Sequence, residues 1–201
     1  MYRFYYNEKS LGDILFIVIN ADKKSDHSLK RGQVVAIYSG DELIGYNIFS
    51  FHNIASLNNV GMIPSPSKDL LKAINEALTK EGFASLPTLE KTLYTIAEIV
   101  SMEEHPLDEK ANIVTLSLGN EKKVTTVSHY INLKVGEKVV VEEDGCLTLD
   151  GSAFHSFIAR NINNDVSICG ANELLLTNGK KGEAYIPNTG IAGDDFFLGG
   201  K

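Results

Sequence analysis

The sequence predicts an α+β N-terminal domain over residues 1–88, followed by an all-β barrel domain over residues 89–201. Three observations lead there. About the first sixty residues hold apolar, aromatic-rich segments separated by Gly, Asp, Ser and Lys clusters, which is the pattern of strands and turns. A helical apolar spacing follows at Leu70, Leu71, Ile74, Ala77 and Leu78. Beyond a linker containing Leu86-Pro87-Thr88, short strand-like runs alternate with Gly, Asn and Asp turns, and no long helical pattern interrupts them.

In the first domain the expected strands are residues 2–6, 13–19, 33–39 and 43–49, with Ser39-Gly40-Asp41-Glu42 as a hairpin connection. Ser65 is placed to cap the helix, Pro66 suits its first turn and Gly82 its exit. Its apolar stripe packs against the preceding sheet. In the second domain strands are expected near residues 93–102, 111–118, 124–128, 137–142 and 154–162, with shorter ones towards the C-terminus. His105-Pro106 marks a fixed turn, because proline locks its own φ and restricts the residue before it. The segment Asp194-Asp195-Phe196-Phe197 is placed either to pack back onto the barrel or to meet a neighbour.

Composition excludes several classes. A chain of 201 residues has room for two small domains with buried cores. Its longest apolar run, residues 14–19, is far short of the roughly 20 residues of a membrane helix. With two cysteines, no Asn-x-Ser/Thr acceptor and no charged leader before an apolar stretch, the chain reads as cytoplasmic. The net charge of −7 is concentrated in residues 91–201, where ten lysines and arginines face sixteen acids. Nucleic-acid binding draws on displaced counterions, so this charge restricts any such contact to a local patch.

Ordered signatures identify a relative. Phe4-Tyr5-Tyr6-Asn7, Gly12-Asp13 and Gly45-Tyr46-Asn47-Ile48-Phe49 lie in the first half. The second half carries Glu103-Glu104-His105-Pro106-Leu107-Asp108-Glu109-Lys110, then Val127 through Asn132, then Ala159 through Gly170, followed by Glu173-Leu174. In this order they resemble the bacterial YtpR-type tRNA-binding-domain proteins. That family has a short N-terminal domain ahead of an OB module similar to those of the phenylalanyl-tRNA synthetase beta subunit and the methionyl-tRNA synthetase C-terminus. The resemblance implies a five-stranded Greek-key OB barrel. It also implies a non-catalytic tRNA-binding function through the barrel groove. Arg160, Asn132, Cys169, Glu173 and Leu174 keep the family pattern; its Gly-Ala, Ser and Gly-Met positions are replaced here.

Nine residues are candidates for the RNA groove. Arg160 suits a phosphate, or else an ion pair with a nearby acid. The pairs Lys122-Lys123 and Lys180-Lys181 suit a nucleic-acid backbone, or merely solvate hairpin turns. His129 and Tyr130 could stack on an unpaired base or plug a gap. Asn132 and Asn164 could bond base edges or serve as ordinary turn residues. Catalysis finds no support: no nucleophile pairing, phosphate loop or metal-ligand spacing occurs, and no cofactor, metal, small-molecule substrate or membrane partner is expected. The alternative is a protein-interaction module on the same barrel, with a homodimer as one form of it, motivated by the replaced groove positions, the acidic charge and the aromatic tail.

Overall fold

The computed structural model describes residues 1–57 and 61–199. The chain is mostly β with few helices, and the described residues divide into two compact units. The first comprises Met1–Glu90 together with Leu149–Ser152, and the second Lys91–Thr148 with Ala153–Lys201. Among the described residues no helix is long and apolar enough to cross a membrane.

The first unit is built on a six-stranded antiparallel sheet. Its strands are β1 (Arg3–Tyr6), β2 (Ile14–Val18), β3 (His27–Arg31), β4 (Val34–Ser39), β5 (Glu42–Phe49) and β6 (Gly61–Ile63), in the order β3-β4-β5-β2-β1-β6. A four-residue helix, α1 (Glu8–Leu11), follows β1, and α2 (Lys68–Lys80) follows β6. Phe4, Leu15, Ile17, Val34, Ile48 and Phe51 form one buried cluster with Ile74 and Leu78 of α2. Gly40 at φ +56° opens the tight β4–β5 hairpin, where Ser39 pairs with Glu42. The cap of α2 is Ser67, not Ser65: its hydroxyl accepts from the Leu70 N–H at 3.1 Å. Pro66 therefore precedes the cap. Gly82, at φ +74°, ends the helix by donating to the Thr79 carbonyl while Phe83 donates to Leu78. Strand β3 was not anticipated, because every residue in it is exposed and it shows no apolar alternation.

The second unit is a five-stranded sheet. Its strands are β7 (Tyr94–His105), β8 (Asp108–Ser117), β9 (Lys123–Ser128), β10 (Lys138–Glu143) and β13 (Val166–Ile168), ordered β13-β10-β7-β8-β9. A register shift between Ile99 and Ser101 bends the long strand β7. Its two end strands approach one another: the Asp165 N–H donates to the Thr125 carbonyl at 2.8 Å, and the Asp165 carboxylate accepts from the Thr125 N–H at 2.8 Å. The sheet is thus rolled into a nearly closed barrel around Ala97, Ile99, Val114, Leu116, Val139 and Val141. Pro106-Leu107 forms the tight β7–β8 turn, with His105 paired to Asp108.

The strand expected at 154–162 is instead a hairpin. Strands β11 (Phe157–Ala159) and β12 (Ile162–Asn164) pair with each other across Arg160-Asn161, both at positive φ (+50° and +64°). Two consecutive left-handed residues are what a two-residue turn matched to strand twist requires, and asparagine is favoured there. The aromatic tail packs back on its own barrel. The Phe196 N–H donates to the Tyr94 carbonyl at 2.7 Å, Phe197 meets the Tyr94 ring edge-on at 5.1 Å, and the Asp195 carboxylate accepts from Thr92.

Candidate nucleic-acid interface

Two hollows lie along the seam where β9 meets β12 and β13, and they separate residues that the sequence suggested as one groove. The first has a volume of about 360 Å³. Its β9 side is Thr126 to Tyr130, its β13 side is Val166 to Ile168, and Phe154, Phe157, Asn164 and Gly182 complete the wall. No acid lines it among the described residues. The second, of about 490 Å³, contains Lys122 and Lys123 but also Glu143, Asp144 and Asp165. Lysines and acids nearly balance there, and the acids prevail by one.

Within the first hollow, His129 is exposed and its Nε2 lies 3.0 Å from the Asp108 carboxylate, which holds Asp108 below the usual carboxylate range. Tyr130 is half-buried, and a side-chain carbon at Gly170 would come within 3.0 Å of its hydroxyl. Burial and the neighbouring Glu173 and Cys169 push its pKa up to about 12. Asn164 is buried and committed inward. Its Oδ1 accepts from the Val127 N–H at 3.0 Å and its Nδ2 donates to the Ile162 carbonyl at 3.3 Å. It stitches the seam where regular strand pairing stops, so the amide is not free for a base edge.

Asn132 lies in the loop after β9 and is likewise occupied. Its Nδ2 donates to the Ala184 carbonyl at 2.9 Å, and its Oδ1 accepts from the Ala184 N–H at 2.8 Å. This two-pronged bond ties the loop to the C-terminal segment. Cys169 is buried in the same region, and burial among Glu142, Cys146 and Glu173 raises its thiol pKa well above the ordinary value.

The basic candidates also separate. Lys122 is bonded to Glu143 at 2.7 Å, and Lys180 lies 3.6 Å from Glu183. Arg160 stands exposed at the hairpin tip, and Lys181 is exposed beside Gly182 of the first hollow. Among the described residues no acid is paired with Arg160, Lys123 or Lys181. Two available cations thus belong to the segments that wall the acid-free hollow, whereas Lys123 sits among three carboxylates.

Comparison with known proteins gives this geometry a family context. Over 198 residues the chain is 26% identical to the "Putative tRNA-binding protein YtpR" of Bacillus subtilis, covering 96% of this chain and 98% of that protein. The chain resembles the YtpR type from end to end. It is also similar to two phenylalanine–tRNA ligase beta subunits. The match to that of Psychrobacter arcticus is 28% identical over 104 residues, 50% of this chain and 13% of the subunit. The match to that of Bacteroides thetaiotaomicron is 25% over 149 residues, 72% and 18% respectively. The chain therefore spans under a fifth of either subunit. Residues 21–89 match a family described as a domain of unknown function, DUF4479. The YtpR-type resemblance thus extends over both units.

Phe154 and Phe157 are wall residues that the sequence did not single out. The available signal was Arg160-Asn161 as a two-residue turn, which would have split the apparent strand and exposed Phe157 on a hairpin. The Lys122–Glu143 pair has a consequence for stability. Burial pushes the Glu143 pKa up, but the bonds from Lys122 and Thr95 outweigh it and leave it lowered. A lowered folded-state value contributes stability above the unfolded carboxylate pKa, and that contribution is lost as pH falls through the folded value. Lys122→Ala is expected to cost on the order of 0.5–1 kcal/mol near neutral pH. The cost should shrink towards acid pH, measured by urea unfolding at several pH values; a pH-independent deficit would contradict the pair's role.

Proposed function

We propose that this is a non-catalytic, cytoplasmic tRNA-binding protein whose second domain is an OB barrel and whose RNA face is the acid-free hollow with the β11–β12 hairpin. On this assignment residues 1–88 form an α+β accessory domain and residues 89–201 the OB module. The strand order β13-β10-β7-β8-β9, with β9 beside β13, supports the barrel assignment. In OB barrels the second and third strands and the loops after the first and fourth strands take up oligonucleotides. Here these correspond to β8, β9, the Pro106-Leu107 turn and the excursion after β10 that carries the hairpin.

The observation that carries the proposal is the separation of charge. Among the described residues no acid is paired with Arg160 or Lys181, which belong to the segments that wall the acid-free hollow, while Lys122 is spent on Glu143. A local positive rim suffices for a chain of net charge −7, because the field over one groove is not set by the whole molecule. The similarity to a protein named as tRNA-binding supports tRNA as the RNA. Modules of this type read shape, backbone and unstacked bases.

The test is binding of total tRNA across a salt series with duplex RNA as competitor. Binding that weakens steeply with salt and resists the duplex is expected. Absence of binding at low salt would end the proposal in favour of a barrel kept for protein contacts. One motive for that alternative is already weakened, since Phe196 and Phe197 pack on Tyr185 and Tyr94 within the unit.

A further inference from the structure

We propose that the acid-free hollow receives one unpaired nucleobase of an RNA strand, stacked on Phe157, with the adjoining phosphate held by Arg160. This deepens the RNA-binding proposal and rests on it. The hollow sits where the barrel wall is incomplete. The strands β9 and β13 flank it, but along the seam, among the described residues, the backbone of β9 is met only by Asp165 at Thr125 and by the Asn164 amide at Val127. At about 360 Å³ the space falls within the range of small-molecule sites, suited to a flat ring and too small for a duplex.

The wall combines the two chemistries that a base needs. Phe157 is 54% exposed, with no ring partner among the described aromatic pairs, and Phe154 lies in the same wall. A large aromatic side chain left in solvent at the mouth of a hollow gains by covering its face, and a base supplies a matching π surface. Ser167 and Ser128 also line the hollow; the Ser128 hydroxyl accepts from the Tyr130 N–H at 3.2 Å and keeps its proton to donate, while the Ser167 hydroxyl can donate or accept at a base edge. The other two aromatic candidates suit stacking less. Tyr130 is half-buried with its hydroxyl lodged against Gly170, and His129 is tethered to Asp108.

Arg160 distinguishes a base in a strand from a free nucleotide. It lies three residues beyond Phe157 at the tip of the same hairpin, held in the left-handed region by the two-residue turn. Neighbouring Ile158 is 71% exposed, so the hairpin presents an apolar and cationic edge outside the hollow as well as the ring inside it. That edge suits a chain that continues past the base.

The chain contains no tryptophan, so Phe157→Trp installs a single fluorescent reporter at the site. The variant is titrated with total tRNA, a mixed-sequence single-stranded RNA, a fully paired RNA duplex and AMP, while binding is followed independently by anisotropy of labelled tRNA. Quenching of the indole by tRNA and by single-stranded RNA, tracking the anisotropy and absent with duplex, is expected. In parallel, Phe157→Ala should weaken tRNA binding by about 5- to 150-fold, the range of one base–aromatic stack, with the circular dichroism spectrum unchanged. Binding of tRNA without quenching, together with wild-type affinity of Phe157→Ala, would overturn the base site and leave the RNA-binding proposal standing. Quenching by AMP but not by RNA would overturn it in favour of a free nucleotide. No tRNA binding by the wild type would overturn both.

Discussion

Asn132→Ala is expected to lower the stability of the folded chain by roughly 2–4 kcal/mol. The side-chain amide closes a reciprocal pair with both the N–H and the carbonyl of Ala184, at 2.8 and 2.9 Å. Ala184 is buried, so alanine at 132 strands a backbone donor and acceptor away from water. Each such group costs about 1–3 kcal/mol. Asn132→Asp keeps the acceptor and loses the donor, so it should fall between wild type and alanine. Urea unfolding monitored by circular dichroism reads the effect. A loss below about 0.5 kcal/mol, the usual size of a neutral surface change, would show that Asn132 is free for a ligand after all.

The second large effect concerns the cations. The double substitution Arg160→Ala with Lys181→Ala is expected to weaken tRNA binding about tenfold or more at low salt. It should also reduce the salt slope by between one and two, since each lost phosphate contact removes nearly one released counterion. Both residues are exposed and neither is paired with an acid among the described residues, so little stability should be lost. The matched double substitution Lys122→Ala with Lys123→Ala should leave the slope unchanged. Lys122 is already neutralised by Glu143, and the hollow around Lys123 also holds Asp144 and Asp165. Isolated lysine pairs look alike in a sequence. Their surroundings decide what they contribute.

How much was legible in the sequence follows from which forces are local. The barrel strands showed themselves where apolar residues alternate with period two, as in Val114 and Leu116 of β8 and Leu118 just after it, which are buried while Thr115 and Ser117 between them are more exposed. The fully exposed β3 carried no such signal, because its pairing with β4 rests on backbone bonds that any sequence can make. Ser65 and Ser67 stand on either side of Pro66, and only the geometry of the first turn distinguishes them. The candidate site was harder. Glu143 reaches Lys122 across 21 positions, and Asn132 reaches Ala184 across 52, so neither pairing is a local property. The family pattern placed Asn132 and Asn164 among the candidates, yet it could not show that both spend their amides on the backbone. Nor did it reveal Phe157, whose exposure follows from a turn of two left-handed residues.

The charge distribution makes the most direct test a comparison of the two hollows on one assay. Dissociation constants of labelled tRNA are measured from low to physiological salt for the wild type, for Arg160→Ala/Lys181→Ala and for Lys122→Ala/Lys123→Ala. Loss of affinity and a shallower salt slope in the first pair alone is the expected result. Equal losses in both pairs, or loss confined to Lys122 and Lys123, would contradict the assignment of the RNA face to the acid-free hollow.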